Sequence, residues 1–320
     1  MARRELGPAS LKVAQAVAEM LPQGPVLVGC SGGADSTALA LGAQWASLRA
    51  GTTMSAVVVD HGLQPGSREA AEAAAGRLIS RGVDAAVVTV AVSAPHDGGL
   101  EAAAREARLA ALAAPGLPVL VGHTLDDQAE TVLLGLLRGS GTRSLAGMAP
   151  VRGPLVRPLL GLRRADTVQA CREWGVEVWA DPMNEDARFA RVRARRALGQ
   201  LSAALGRDVA PALARTATLA RADADLLDAL ASEAWPGSDE LPVGDLEPLP
   251  DALRRRVVHR WLRRRAPEAA MAHVTAALEL VERWRGQGAV AVPGGSVSRR
   301  SGALVFEARG SGAARPSDAR

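Results

Sequence analysis

Short apolar runs alternate with longer helix-forming stretches through the first half of the chain. Val26–Cys30 is followed by a helical pattern from about Asp35, and Ser55–Asp60 by one over 68–80. Ala85–Val92 precedes a helix over 100–113, and Pro118–Gly122 precedes one over 125–138. Repeats of this kind predict right-handed crossovers and a parallel sheet with helices on both faces. The predicted fold class is α/β, with a Rossmann-like parallel sheet in the N-terminal domain. Ligands of such sheets lie beyond the C-terminal strand ends. Three polar groups fall there: Ser31 to Ser36, Asp60-His61-Gly62, and Gly122-His123-Thr124.

The pattern then changes. Residues 139–158 are rich in Gly, Pro and Arg and read as loop. A helix is expected over 164–174, ended by Gly175, then a turn at Asp181-Pro182-Met183-Asn184 and an arginine-rich helix over 188–196. After about Leu205 the strand–helix alternation stops. Residues 211–234, 251–265 and 268–285 read as helices around a Pro-rich break at 236–250. Short strands are expected at 290–292, 296–299 and 303–307. The predicted organisation is a catalytic domain over 1–210, a smaller, mainly helical appendage over 211–308, and a disordered tail over 309–320.

Composition sharpens this picture. Aromatic residues make up 2% of the 320 residues and tyrosine is absent, so the core must be Ala, Val and Leu. Lys12 is the single lysine, so the positive charge is carried by arginine, which suits bidentate phosphate contacts. A net charge of +4 and a pI near 10.2 permit a nucleic-acid partner. Cys30 and Cys171 form no C-x-x-C, which argues against a disulfide framework, a zinc site or an iron–sulfur site. With no signal peptide or membrane-length apolar run, the chain reads as cytoplasmic, with no membrane partner. The oligomeric state stays open, a homodimer among the options.

The sharpest chemical signal is Ser31-Gly32-Gly33-Ala34-Asp35-Ser36, between the first strand and its helix. Backbone N–H groups and the helix dipole converge there and suit a phosphate. Gly32 and Gly33 permit close approach, and Ser31 and Ser36 add hydroxyl donors. The alternative is an ordinary turn with Ser31 capping the helix. No lysine follows the glycines, so this is not a Walker loop. A carboxylate beside a polyphosphate needs a cation between them, which makes Asp35 a candidate magnesium ligand shared with phosphate oxygens. Its alternative role is a first-turn acid stabilised by the helix dipole.

Thr124 and Asp127 resemble a capping box, but that does not account for Glu130, which shares Asp127's helix face. With His123, these two carboxylates form a second group able to hold a cationic substrate or a metal. Asp60 and His61 can line the base or sugar of a nucleotide, His61 being equally well a satisfied polar residue at a strand end, and Arg138-Gly139 can either close over a nucleotide or simply cap the helix. The arginines flanking Val257–Leu262, at 254–256 and 263–265, suit an RNA backbone or a solvated face.

In combination these strings resemble one family, the tRNA(Ile)-lysidine synthetases among the PP-loop ATP-pyrophosphatases. The further matches are Val59-Asp60-His61-Gly62-Leu63-Gln64-Pro65, Gly122 to Thr131, Leu136 to Gly141 with Leu145 to Met148, and Arg157 to Leu160. The family's D-x-S-N and R-N-x-[hydrophobic]-R patterns return as Asp181 to Asn184 and Arg191 to Arg195, departing from them at Met183 and Val192; Gln64 departs likewise. The resemblance implies ATP and magnesium as cofactors. It implies a CAU-anticodon isoleucine tRNA and free lysine as partners, with Asp35, His123, Asp127, Glu130 and Arg195 as catalytic residues. It also implies the reaction: adenylation of the wobble cytidine, then displacement of AMP by lysine's ε-amine. The alternatives are a tRNA 2-thiolation enzyme, an amidotransferase-type synthetase, or a silent ATP-sensing RNA-binding module. The C-x-x-C thiolation type and the glutaminase type would need cysteines this chain lacks, and the module would release no AMP.

Overall fold

The computed structural model describes residues 5–60, 62, 66–91, 99–139, 141–178 and 186–309. The chain folds as two compact units, divided between Arg221 and Ala222. The expected boundary at 210 opens the helix in which this division falls. His61, Gln64, Ser140, the 181–184 turn and residues 310–320 of the expected tail lie outside the described residues.

The first unit opens with α1 (Pro8–Met20), β1 (Val26–Cys30), α2 (Ala34–Ala50), β2 (Met54–Asp60), α3 (Ser67–Ile79) and β3 (Ala85–Thr89). It continues through α4 (Gly99–Ala113), β4 (Val119–Val121) and α5 (Leu125–Leu137). The predicted βα alternation is therefore present, with helix and strand ends within a few residues of expectation. The sheet order is β3-β2-β1-β4, extended by two further strands. β1 pairs in parallel with β2 (Val26 opposite Met54) and with β4 (Leu27 opposite Val119). The chain reverses its direction of travel across the sheet between β1 and β4. That is the switch point at which doubly wound sheets bind ligands.

The low aromatic content is visible in the packing. α2 is buried on every side from Ser36 to Ala43, and Ala38, Ala40, Ala43 and Ala46 supply much of that surface. A Cβ at Gly42 would sit 3.1 Å from Val13 Cγ1, so a bare glycine lets α1 and α2 approach closely. Val28, Leu39, Leu120 and Leu159 are fully buried at the centre.

The expected loop over 139–158 carries structure. It holds α6 (Thr142–Leu145) and an antiparallel pair, β5 (Val151–Arg152) and β6 (Leu155–Val156), with β6 parallel to β4. Two-residue strands are too short for alternation to register in the sequence. A tight helical turn at Pro158–Gly161 leads into α7 (Arg164–Trp174). α8 (Ala190–Leu205) begins later and runs further than expected, and Arg188, just before it, pairs with Asp186. α9 (Ala210–Ala234) contains the division between the units.

The second unit contains β7 (Leu241–Pro242), α10 (Val243–Leu246), α11 (Asp251–Arg265) and α12 (Met271–Glu282). β8 (Val290–Val292), β9 (Gly295–Arg300) and β10 (Ala303–Ala308) follow. The three expected short strands join β7 in an antiparallel sheet of order β7-β10-β9-β8, so this unit is helical with a sheet of its own. Trp261, Leu262, Leu280 and Leu304 form its buried centre.

Candidate active site

The turn after β1 is built around Ser36. Its hydroxyl donates to the Gly33 carbonyl (3.1 Å) and accepts the Ser31 N–H (3.0 Å), while Ser31 Oγ lies 3.1 Å away. Gly33, not Ser31, stands at the helix N-cap, with no side-chain cap, so the capping alternative for Ser31 does not hold. Gly32 has φ +82°, and a Cβ there would approach Ala74 Cβ to 2.9 Å. Only glycine satisfies both constraints.

β4 ends against this turn. A Cβ at Gly122 would lie 3.0 Å from the carbonyl carbon and oxygen of Asp35 and from Ser36 Cα. The backbone that leads into α5 is therefore pressed directly on the start of α2. His123 follows, half-buried, and then Thr124 at the head of α5. Asp127 Oδ2 accepts the Thr124 N–H (2.8 Å) and its hydroxyl (2.9 Å). The capping reading of Asp127 thus holds, but it uses only one carboxylate oxygen.

The other oxygen reaches a residue that the motifs do not include. Arg164, the first residue of α7, spreads its guanidinium over three carboxylates. Nε donates to Asp35 Oδ2 (3.1 Å), Nη2 to Asp127 Oδ1 (2.6 Å), and Nη1 lies 3.8 Å from Glu130 Oε1. Thr167, one turn along α7, donates its hydroxyl to Asp35 Oδ1. Beside them Asp126 accepts from Arg163 Nη2 (2.7 Å) and from the Arg164 backbone N–H (2.7 Å). Two arginines at a helix start run against the helix dipole. That conflict, visible in Arg163-Arg164, is the sequence signal for paired carboxylates nearby.

Glu130 is 1% exposed, and Arg195 of α8 donates Nε to its Oε1 at 2.7 Å. Its Oε2 has no hydrogen-bond partner among the described residues. Burial raises the pKa of both Asp35 and Glu130, with Thr167 and Arg164 on Asp35, and Arg195 on Glu130, working in the opposite direction. Burial also pushes on Asp126, but hydrogen bonds from Arg163 and the Arg164 N–H outweigh it and leave that carboxyl below its usual range. Cys171, whose thiol donates to the Ala34 carbonyl, is pushed up to about 12 by burial and stays an inert thiol.

Asp35, Asp127, Glu130 and Arg195 are thus brought together, with Ser31, Gly32, Gly33 and Ser36 beside Asp35. Asp60 ends β2 on the neighbouring strand, buried, its Oδ1 accepting the Gly62 N–H at 3.0 Å. Arg138 and Gly139 are not gathered in. They cap the far end of α5, Gly139 at φ +64°, eleven residues and roughly 16 Å along the axis from Asp127. Gln128 points elsewhere, clamping Met148 through its N–H and carbonyl (2.7 and 3.1 Å).

Asp35 fits a metal that arrives with nucleotide. Among the described residues no group of three or more His, Cys, Asp or Glu could hold a metal ion alone. Magnesium keeps waters and takes phosphate oxygens with one or two carboxylates, and the turn has one carboxylate, Asp35, to contribute to such a set.

In the second unit the arginine helix α11 divides in two. Arg254 donates to the Leu246 and Leu249 carbonyls and to Glu282, Arg256 to Asp228, and Arg265 to Asp239. These three arginines are tied into the fold, so the two alternatives, an RNA contact or a solvated face, concern the remaining arginines of α11. Arg260, Arg263 and Arg264 are exposed, and they line a cavity of about 570 Å³ with Arg256 and His259. Burial and the neighbouring Arg263 and Arg256 hold the His259 pKa down.

No helix among the described residues is long and apolar enough to cross a membrane. A solved structure of the U34-tRNA thiolase NcsA from Methanococcus maripaludis superposes with a TM-score of 0.52, covering 66% of this chain and 77% of that one at 16% identity, a likeness of fold alone. The PP-loop domain family matches residues 8–202, and the TilS substrate binding domain family matches residues 241–305. The tRNA(Ile)-lysidine synthase of Cutibacterium acnes is 50% identical over 97% of this chain and 100% of its own length. Those of Nocardia farcinica and Mycobacterium bovis are 50% and 51% identical, covering 89% and 87% of this chain and 91% and 90% of theirs. With the phosphate turn and the carboxylates at one sheet edge, these matches make the chain a member of the tRNA(Ile)-lysidine synthase family.

Proposed function

We propose that the chain acts on a CAU-anticodon isoleucine tRNA, using ATP to activate C2 of the wobble cytidine and attaching lysine there through its ε-amine, in the cytoplasm. One observation carries the division of labour. A phosphate turn and a carboxylate pair meet at the switch point, joined by a single guanidinium. The turn from Ser31 to Ser36 cradles the ATP phosphates, and Asp35 supplies an oxygen to magnesium. Magnesium would neutralise charge on the phosphates as pyrophosphate leaves. Asp127 and Glu130 hold the lysine ammonium, and the unpartnered Glu130 Oε2 is an acceptor for it. Lysine's amine has a pKa of about 10.4, so roughly one part in a few thousand is neutral at pH 7. A group at the site must therefore take its proton, and His123, which precedes Thr124 at the head of α5, or one of the carboxylates serves as that base. Arg195 orients Glu130.

Incubation with ATP, radiolabelled lysine and CAU-anticodon tRNA tests the reading. Label in the tRNA with equimolar AMP is the expected outcome. AMP release without labelled tRNA would sink the lysine half, and no AMP at all would sink both.

The second unit supplies RNA backbone contact through Arg260 and Arg263. Each phosphate contact removed should lower the slope of log affinity against log salt by about 0.7 to 0.9. Replacing both with alanine is expected to weaken all tRNAs alike and leave ATP affinity unchanged. Filter binding across a salt series checks this, and an unchanged slope would mean a merely solvated face.

A further inference from the structure

We propose that Arg164 is a stand-in cation, holding Asp35, Asp127 and Glu130 for the ligands that displace it. The inference rests on the reading of these carboxylates given above and adds a role for a residue outside it. Each guanidinium nitrogen faces a different carboxylate, two of them within hydrogen-bond distance. The carboxylates come from two elements, α2 and α5, while the arginine comes from a third. Its side chain is 28% exposed, so part of it already meets solvent and has somewhere to go. A permanent structural bridge needs no such access.

Charge leads to the same conclusion. Asp35, Asp127 and Glu130 carry three negative charges, and Arg164 and Arg195 return two positive ones. These three carboxylates outnumber their two arginines by one, and the buried Glu130 Oε2, which no donor among the described residues fills, marks where a further cation fits. A divalent metal on Asp35 Oδ2 and an ammonium reaching from Glu130 Oε2 to Asp127 Oδ1 would ask for two of the oxygens that Arg164 uses. Like charges in that space repel, so the arriving cations and Arg164 compete. Release does not dismantle the site. Thr167 still holds Asp35 Oδ1, Thr124 still holds Asp127 Oδ2, and Arg195 still holds Glu130 Oε1. The freed guanidinium stands beside the phosphate turn, where a planar donor of this kind pairs with phosphate oxygens. Arg164 is in this sense a positioning residue before binding and an anion partner after it.

The consequence is opposite to that of an ordinary supporting residue. Removing Arg164 should tighten cation binding in the ATP-free protein while slowing turnover. The test titrates ATP-free wild type, Arg164→Gln and Arg164→Lys with L-lysine by calorimetry and, separately, with Mn²⁺ by electron paramagnetic resonance. The Gln variant is expected to bind both probes about tenfold more tightly than wild type, within the usual size of coupling between competing ligands. Its kcat should fall. The Lys variant, with one compact charge, should lie between. Thermal unfolding supplies a second readout: the ligand-free Gln variant melts below wild type and gains more from Mn²⁺ than wild type does. Equal or weaker binding of both probes by a folded Gln variant overturns the proposal, because Arg164 then organises the carboxylates instead of competing for them. Should the Gln variant fail to fold, the Lys variant carries the same comparison. Failure of the proposed reaction is separate: it would show as wild type releasing no AMP, and would leave the Mn²⁺ comparison readable.

Discussion

Asp35→Asn is expected to stop AMP formation and, at neutral pH, to raise the melting temperature. The substitution keeps the shape of the side chain and removes the charge that a metal on ATP requires. Losing a preorganised electrostatic partner of the transition state costs about a hundredfold or more in rate. The stability effect has the opposite sign. Burial raises the Asp35 pKa, the Thr167 and Arg164 contacts opposing it without cancelling it. A carboxyl whose folded pKa exceeds its unfolded value stabilises the fold only while protonated, and that contribution is lost as pH rises through the folded pKa. At pH 7 the ionised Asp35 therefore weighs against folding, and a neutral isostere removes the weight. The gain should shrink as pH falls and vanish below about 3.9, the ordinary carboxylate value, where wild type is itself neutral. AMP chromatography and a melting series across pH read both effects. Wild-type AMP release would dismiss Asp35 from the chemistry. A variant no more stable than wild type at pH 7 would mean that Thr167 and Arg164 offset burial in full.

Glu130→Ala is expected to raise the KM for lysine ten- to a hundredfold and to leave the KM for ATP nearly unchanged. A charge-assisted hydrogen bond to an ammonium in a partly buried site contributes about 1.5–3 kcal/mol, which sets that range. Glu130 is suited to this because its Oε1 is already held by Arg195, leaving Oε2 for a ligand. The variant should fold normally. Arg195 loses its partner, but its side chain is 40% exposed and can turn to water. Steady-state kinetics in both substrates decide the point. An effect confined to ATP would reassign Glu130 to the nucleotide half of the site.

The alternation of strands and helices is readable because each crossover carries its own period, and the phosphate turn because its glycines and serines sit between two periods. The arginine helix α11 is legible as an element and illegible as a surface. Nothing in Arg254-Arg255-Arg256 says that Arg254 turns back to the Leu246 and Leu249 carbonyls while Arg263 faces solvent; that depends on what packs beside it. Arg164 is hidden for a related reason. Its partners lie 129, 37 and 34 positions away, so only the closed sheet brings them together. Asp127 shows the limit from the other side, since one of its oxygens caps α5 and the other meets Arg164.

Gly122 gives the site a mechanical character. Because a single methyl there would press into the peptide of Asp35, the separation between the phosphate turn and the head of α5 is set by main chain against main chain. Such a joint has no side chain to rotate and almost no compressibility. The phosphate turn and the carboxylate pair form one stiff bench rather than two jaws. At this joint, then, long side chains such as Arg164 have more room to travel than the two backbones pressed together beneath them.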